Sequence, residues 1–224
     1  MQITVSAELK SIGVFVVYTE VYNATVIKSG VVELDKEIAK LEEKYRGRDP
    51  DTLKEDPIVR AYRDFFWRVG IDPTKVRPSG EALRRRLYRG NRFPRVNNVV
   101  DSGNIASADT LVPIGLYDLD KIKGSLTITM SKGGEIFYDL GKKDPEILDK
   151  GVPIMIDEEP KVLHIYPHRD SKLTAITENT KNILIMGAGV SGVPEELVKQ
   201  ATIMTAEYIV KFAKATWNGE VKEA

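Results

Sequence analysis

Four consecutive residues, His168, Arg169, Asp170 and Ser171, with Thr174 and Thr177 close behind, gather an imidazole, a guanidinium, a carboxylate and hydroxyls in one short segment. They follow the apolar run Val162 to Tyr166, which reads as a strand, and strand ends are where scaffolds hold functional groups. An imidazole titrates near neutral pH, so His168 can orient a water molecule or act as its base. Arg169 suits a carboxylate or a phosphate, and Asp170 with Ser171 suits an amino group. A structural reading stands beside this one, in which Arg169 and Asp170 form an ion pair, Pro167 makes a turn and His164 is satisfied in the core. With two histidines and no cysteine, the chain offers no thiolate nucleophile and no disulfide framework, and a metal site is not expected. No cofactor is called for.

A second set of residues carries charge rather than reactivity. Between Arg60 and Val100 there are eleven basic residues against three acidic ones, a local net charge of +8 in a chain whose formal charge sums to zero. Ten of the eleven are arginines, whose planar fork matches phosphate oxygens two at a time. Arg84, Arg85, Arg86, Arg89, Arg92 and Arg95 are the candidate contacts to a polyanion. The plainer alternative is a solvated helix face, with Leu83 and Leu87 marking the buried side.

The elements that must position these groups are mixed. Residues 2 to 7, 13 to 18 and 21 to 27 read as strands, the last interrupted or bent by Tyr22, Asn23 and Ala24. Asp35 to Arg46 reads as a surface helix, and the stretch to Asp56 as a polar connector. Asp56 and Pro57 open a helix to about Val69, with Ile58, Tyr62, Phe65, Phe66 and Val69 as its core stripe. The arginine helix and a second helix over 96 to 108 follow. Strands are predicted at 125–131, 135–138, 152–156, 162–166 and 181–186, and a closing helix at 194–216. Strands in succession flanked by helices predict an α+β fold with layered, largely antiparallel sheets, and 224 residues suffice for a single domain over 1–224.

The longest apolar runs, such as Ile12 to Tyr18, fall short of the ~20 residues that span a bilayer, and the start lacks the pattern of a signal peptide. A soluble cytoplasmic protein with no membrane partner is expected. Gly187, Gly189 and Gly192 match the spacing G-x-G-x-x-G, yet no further strand with an acidic end follows, so a tight strand-to-helix turn is favoured over a dinucleotide site.

The order of residues from Arg77 to Gly124 is the most specific feature of the chain. Leu83, Arg84, Arg85 and Gly90 are followed by Val96, Asn97, Val99, Val100, Asp101 and Asn104, then Pro113, then Asp118, Asp120, Lys121, Ile122 and Gly124. This order resembles the amino-acid editing and tRNA-binding domain of the phenylalanyl-tRNA synthetase β subunit, its B-three/B-four modules, and the freestanding relatives of that domain. A weaker match continues to Met186, leaving the N-terminal part and the closing helix outside. The segment around His168 resembles the Y-P-x-R-D-S-x-x-T pattern of the freestanding members.

The resemblance implies binding of a tRNA and hydrolysis of a misattached amino-acid ester in trans. Such an ester is already activated, so a positioned water and donors facing the developing oxyanion suffice. It implies His168, Asp170 and Ser171 as catalytic groups, and Asn104, Gly103, Gly115, Arg169 and Thr174 as substrate contacts. Arg169 would hold a carboxylate or the terminal phosphate. The departures are as informative. Gly103 stands where the synthetase domain has a threonine and Gly115 where it has a histidine, while Lys172 falls near the place of its glutamate. A non-catalytic tRNA or amino-acid binding module is therefore the alternative. Both readings require the arginines to border the hollow that receives Asp170 and Asn104.

Overall fold

A computed structural model describes residues 1–224. Two sheets carry the chain. The larger takes β1 (Ile3–Val5), β4 (Leu126–Met130), β7 (Pro153–Ile156), β8 (Val162–Ile165), β5 (Ile136–Phe137) and β6 (Glu146–Ile147) in that spatial order, with β9 (Arg169–Asp170) paired to β8. The smaller has β11 (Lys222–Glu223), β2 (Phe15–Val21), β10 (Ile183–Gly189) and β3 (Ile114–Asp118), all antiparallel. Parallel pairing is confined to β1 with β4 and β5 with β8. The expected α+β class with largely antiparallel sheets is the class observed. Six helices pack around them: α1 (Ala7–Ser11), α2 (Val32–Tyr45), α3 (Pro57–Arg68), α4 (Ser79–Tyr88), α5 (Asn98–Thr110) and α6 (Glu195–Ala213). The largest apolar cluster draws on both sheets and on α3 and α6, including Val17, Tyr62, Phe66, Tyr117, Leu126, Leu163, Leu184 and Val198.

Local chemistry explains the helix boundaries. Asp56 accepts the Ile58 N–H at 2.8 Å and Pro57 occupies the first turn, so α3 starts where an orphan donor is satisfied and a missing one is harmless. Asn97 accepts from the N–H groups of Val99 and Val100 at the start of α5. Asn98 accepts from Ile27 N–H and donates to the carbonyls of Thr25 and Phe212, pinning α5 to two distant segments. Asp101 accepts from Val96 N–H and pairs with Arg95. The VNNVVD run is thus largely structural.

Three expectations change. The strands at 13–18 and 21–27 become one strand ending at Val21, because Asn23 has a positive φ of 58° and turns the chain out of the sheet. The segment after Pro113, where no strand is predicted, holds β3. The glycines at 187 and 189 lie inside β10 rather than in a turn. A side chain at Gly187 would meet Thr202 Oγ1 at 2.5 Å, and one at Gly189 would overlap the Phe15 ring. The smallness of Gly187 serves packing against α6 and that of Gly189 makes room for the ring of Phe15 opposite it on β2, and an antiparallel strand between two neighbours leaves no nucleotide crevice.

Candidate functional site

The His168 segment is built by a tight reversal between β8 and β9. A cis Tyr166–Pro167 peptide sits at the bend, and the His168 N–H donates to the Ile165 carbonyl at 2.9 Å. The register then sets His164 opposite Asp170 and Ile165 opposite Arg169. His164 is buried, and its Nδ1 lies 2.9 Å from Asp170 Oδ1. The imidazole read as a core residue is therefore the anchor of the site's carboxylate. Asp170 keeps 38 % of its side chain exposed, so it is held without being covered.

His168 is half-buried beside Phe66, with ring centroids 5.2 Å apart, and its Nδ1 has no hydrogen-bond partner. Burial pulls its pKa down to about 4, with the charges of His164 and Arg169 acting in the same direction. At neutral pH it is an uncharged ring with an unused nitrogen, fit to orient a water rather than to abstract a proton strongly. His164, His168, Pro167 and Asp170 line one side of a hollow of about 40 Å³, facing Pro113, Ile114 and Gly115. That is room for a water molecule or two.

The other expected members are placed differently. Arg169 donates from Nε to Asp139 at 2.6 Å, reaches Glu146 at 2.7 Å and lies over the Phe137 ring. Its hydrogen bond to Glu146 draws that carboxylate down to about 2. Committed to two acids other than Asp170, it is not available for a substrate carboxylate. Ser171 is fully buried and its Oγ caps the short 3₁₀ turn Lys172–Thr174 by accepting from Leu173 N–H. A nucleophilic or amine-binding role is closed to it by burial. Thr174 lies buried in the same turn with an unpartnered Oγ1, and Lys172 donates to backbone carbonyls of Lys142 and Lys143. Gly103 sits on α5 where a side chain would come within 2.9 Å of Leu116 Cδ1, a packing position. Asn104 is half-buried on α5 and does not line the hollow.

The arginine cluster divides in the same way. Arg84 is buried: its Nε donates to the Ala108 carbonyl at 2.7 Å, its Nη2 to that of Asp109, and the guanidinium stacks 4.6 Å over Tyr45. It caps the last turn of α5, where carbonyls without helical partners and the negative helix end attract a cation. Arg85 donates to Pro50 O and pairs with Asp51, and Arg95 is held between Asp35 and Asp101. Helical spacing alone could not show this, because the partners come from elements distant in sequence. Arg86, Arg89 and Arg92 remain exposed. Arg86 and Arg89 border a second hollow of about 290 Å³ with Arg77, Arg85 and Asn91.

No arginine lines the His168 hollow, so the expected shared border is absent. The two hollows instead flank the start of α4, with Ser79 lining one and Arg77 and Ala82 the other. A roomier hollow of about 400 Å³ lies between α3 and the Ser191–Gly192 loop, with Arg60 and Arg68 along it. It holds no histidine, whereas the small hollow is lined by His164, His168 and Asp170. Tyr117, buried on β3, was not singled out by its sequence. Its hydroxyl also lacks a partner, and an apolar-looking IGLYD run gives no sign of that.

An α+β module with a water-sized polar hollow beside an arginine surface is the class these features define. The chain belongs to the B3/4 domain family, whose model matches residues 61–214. The match thus takes in the whole of α6, which lies outside the resemblance carried by the motifs. The chain is 29% identical over 134 residues to the phenylalanine--tRNA ligase beta subunit of Aquifex aeolicus, covering 60% of this chain and 16% of that protein. It is 32% identical over 192 residues to a Methanococcus maripaludis beta subunit, covering 67% and 34%. It spans about a third or less of the length of these curated relatives. An N-terminal fragment of the Pyrococcus horikoshii phenylalanyl-tRNA synthetase beta subunit shares the fold at TM-score 0.53 and 18% identity, over 100% of this chain and 54% of the fragment. No helix is long and apolar enough to cross a membrane.

Proposed function

We propose that this chain binds the aminoacylated 3′ end of a tRNA and hydrolyses a misattached amino-acid ester in trans, acting in the cytoplasm. The observation that carries the reading is that the uncharged ring of His168 and the anchored, half-open Asp170 carboxylate line the same space, one that takes water. In this reading His168 accepts a hydrogen bond from the attacking water, and Asp170 holds the ammonium group of the amino acid. Water oxygen bonds to the ester carbon, the bond to the ribose oxygen breaks, and that oxygen leaves as a hydroxyl carrying one of the water's protons, while the amino acid departs as a carboxylate and the other proton passes to solvent. Exposed Arg86, Arg89 and Arg92, with Arg77, contact phosphates of the acceptor end.

Two observations favour a second reading, a non-catalytic module that binds tRNA. The hollow is far smaller than an amino-acid side chain needs, and Arg169 and Ser171 are structural. A deacylation assay over a panel of mischarged tRNAs separates the two. Turnover that disappears in His168→Ala and Asp170→Ala supports the hydrolase, and salt-sensitive binding without turnover supports the module.

A further inference from the structure

Gly115 and Tyr117 lie two residues apart on β3, so both face the same side of the sheet, and they pair with Met186 and Leu184 of β10. A Cβ at position 115 would overlap the Tyr117 hydroxyl. The phenol thus fills the volume that a side chain at 115 would take, and Gly115 is itself a wall of the His168 hollow. Tyr117 is fully buried, its ring meets His164 edge-on at 6.0 Å, and its hydroxyl has no hydrogen-bond partner. Asp170 is near enough for its charge to add to burial in raising the phenol well above 10, although no hydrogen bond of proper geometry joins them.

A buried hydroxyl without a partner is destabilising, and phenylalanine would fill the same space without that penalty. Such a group in a folded protein calls for an explanation, and a partner supplied by a ligand is the one that its place against Gly115, a wall of the hollow, supports. We infer that the Tyr117 hydroxyl is the hydrogen-bond donor to the carbonyl oxygen of the bound group, standing in the space left by the absent side chain of Gly115. The phenol keeps its proton throughout, since it only donates a hydrogen bond to the oxygen that gains charge as water adds. This assignment rests on the hydrolase reading for the identity of the carbonyl, but not for the contact itself.

The test is Tyr117→Phe, compared with wild type in three measurements. Urea unfolding is expected to show equal or higher stability, because only an unsatisfied group is lost. Turnover of the mischarged tRNA is expected to fall 10²- to 10³-fold, chiefly in kcat, the loss typical of one oxyanion donor. In protein carrying ¹³Cζ-tyrosine, saturating 3′-aminoacylamino-adenosine, an unhydrolysable amide, is expected to move the Tyr117 resonance, identified by its absence in the variant. A variant less stable than wild type with unchanged turnover would assign the hydroxyl to the fold and overturn the inference. An unmoved resonance overturns it whether or not wild type has turnover, whereas absent turnover with a moved resonance refutes the hydrolase reading alone.

Discussion

The Asp170 carboxylate lies 2.9 Å from Nδ1 of His164, across the β8–β9 pair, and does not pair with its sequence neighbour Arg169. The strand register is what decides this: residues opposite one another share a face, while consecutive residues point to opposite faces. Asp170→Ala therefore strands a buried imidazole nitrogen. We expect a loss of about 1–2 kcal/mol in urea unfolding, together with any activity of the site. Asp170→Asn, which keeps a hydrogen-bonding oxygen, should lose activity with little change in stability.

Removing Arg169 should be costlier to the fold. Its guanidinium joins Asp139 and Glu146 and covers Phe137. Arg169→Met leaves two partly buried carboxylates without their cation, and we expect a loss of about 2–4 kcal/mol. Denaturant midpoints with unchanged m-values would check it, and adding Glu146→Gln should recover part of the loss.

Stability should also depend on pH through His168. Its folded-state pKa of about 4 lies below the ordinary 6.5, so between these values the unfolded chain binds more protons than the folded one. The stabilisation is complete above pH 6.5 and is lost as pH falls towards 4, by about 2 kcal/mol after allowing for the ring's partial exposure. His168→Gln should flatten this part of the profile. Glu146, drawn down to about 2, adds its own loss only below about 4.5.

The arginines should separate into two kinds. Arg89→Ala and Arg92→Ala should leave unfolding unchanged and weaken tRNA binding, each lowering the slope of log affinity against log salt by about 0.7–0.9. Arg84→Ala should cost about 2–3 kcal/mol, because the α5 carbonyls and the Tyr45 face lose their cation together. Filter binding at several salt concentrations, beside thermal unfolding, distinguishes them.

Two glycines near the site differ in what surrounds them. Gly115→Ala places a methyl group on the Tyr117 hydroxyl and the ring carbons behind it, so the ring must move, and we expect a loss of about 1–3 kcal/mol. Gly103→Ala meets the end of the Leu116 side chain, which can turn aside, and should cost less than 1 kcal/mol. Unfolding midpoints of the two variants give the order.

Much of the frame was legible in the residues themselves. Asp56 and Pro57 mark the start of α3, the alternation at 125–131 marks β4, and the motif from Arg77 to Gly124 points to the family. What was not legible depends on partners far along the chain. Nothing local shows that Arg84 turns onto the carbonyls of Ala108 and Asp109, that Ser171 faces inwards, or that His164 anchors Asp170. The short strand β3 was hidden because Pro113 and Gly115 interrupt the β-branched and aromatic run that marks a strand, and with it went the Tyr117 hydroxyl.

Steady-state deacylation of a panel of mischarged tRNAs by the wild-type chain and by His168→Ala tests the central claim most directly. Turnover of at least one aminoacyl-tRNA by wild type, reduced a hundredfold or more in the variant while its affinity for uncharged tRNA is unchanged, is the predicted result. Equal turnover by both proteins, or none by wild type across the whole panel, would contradict it.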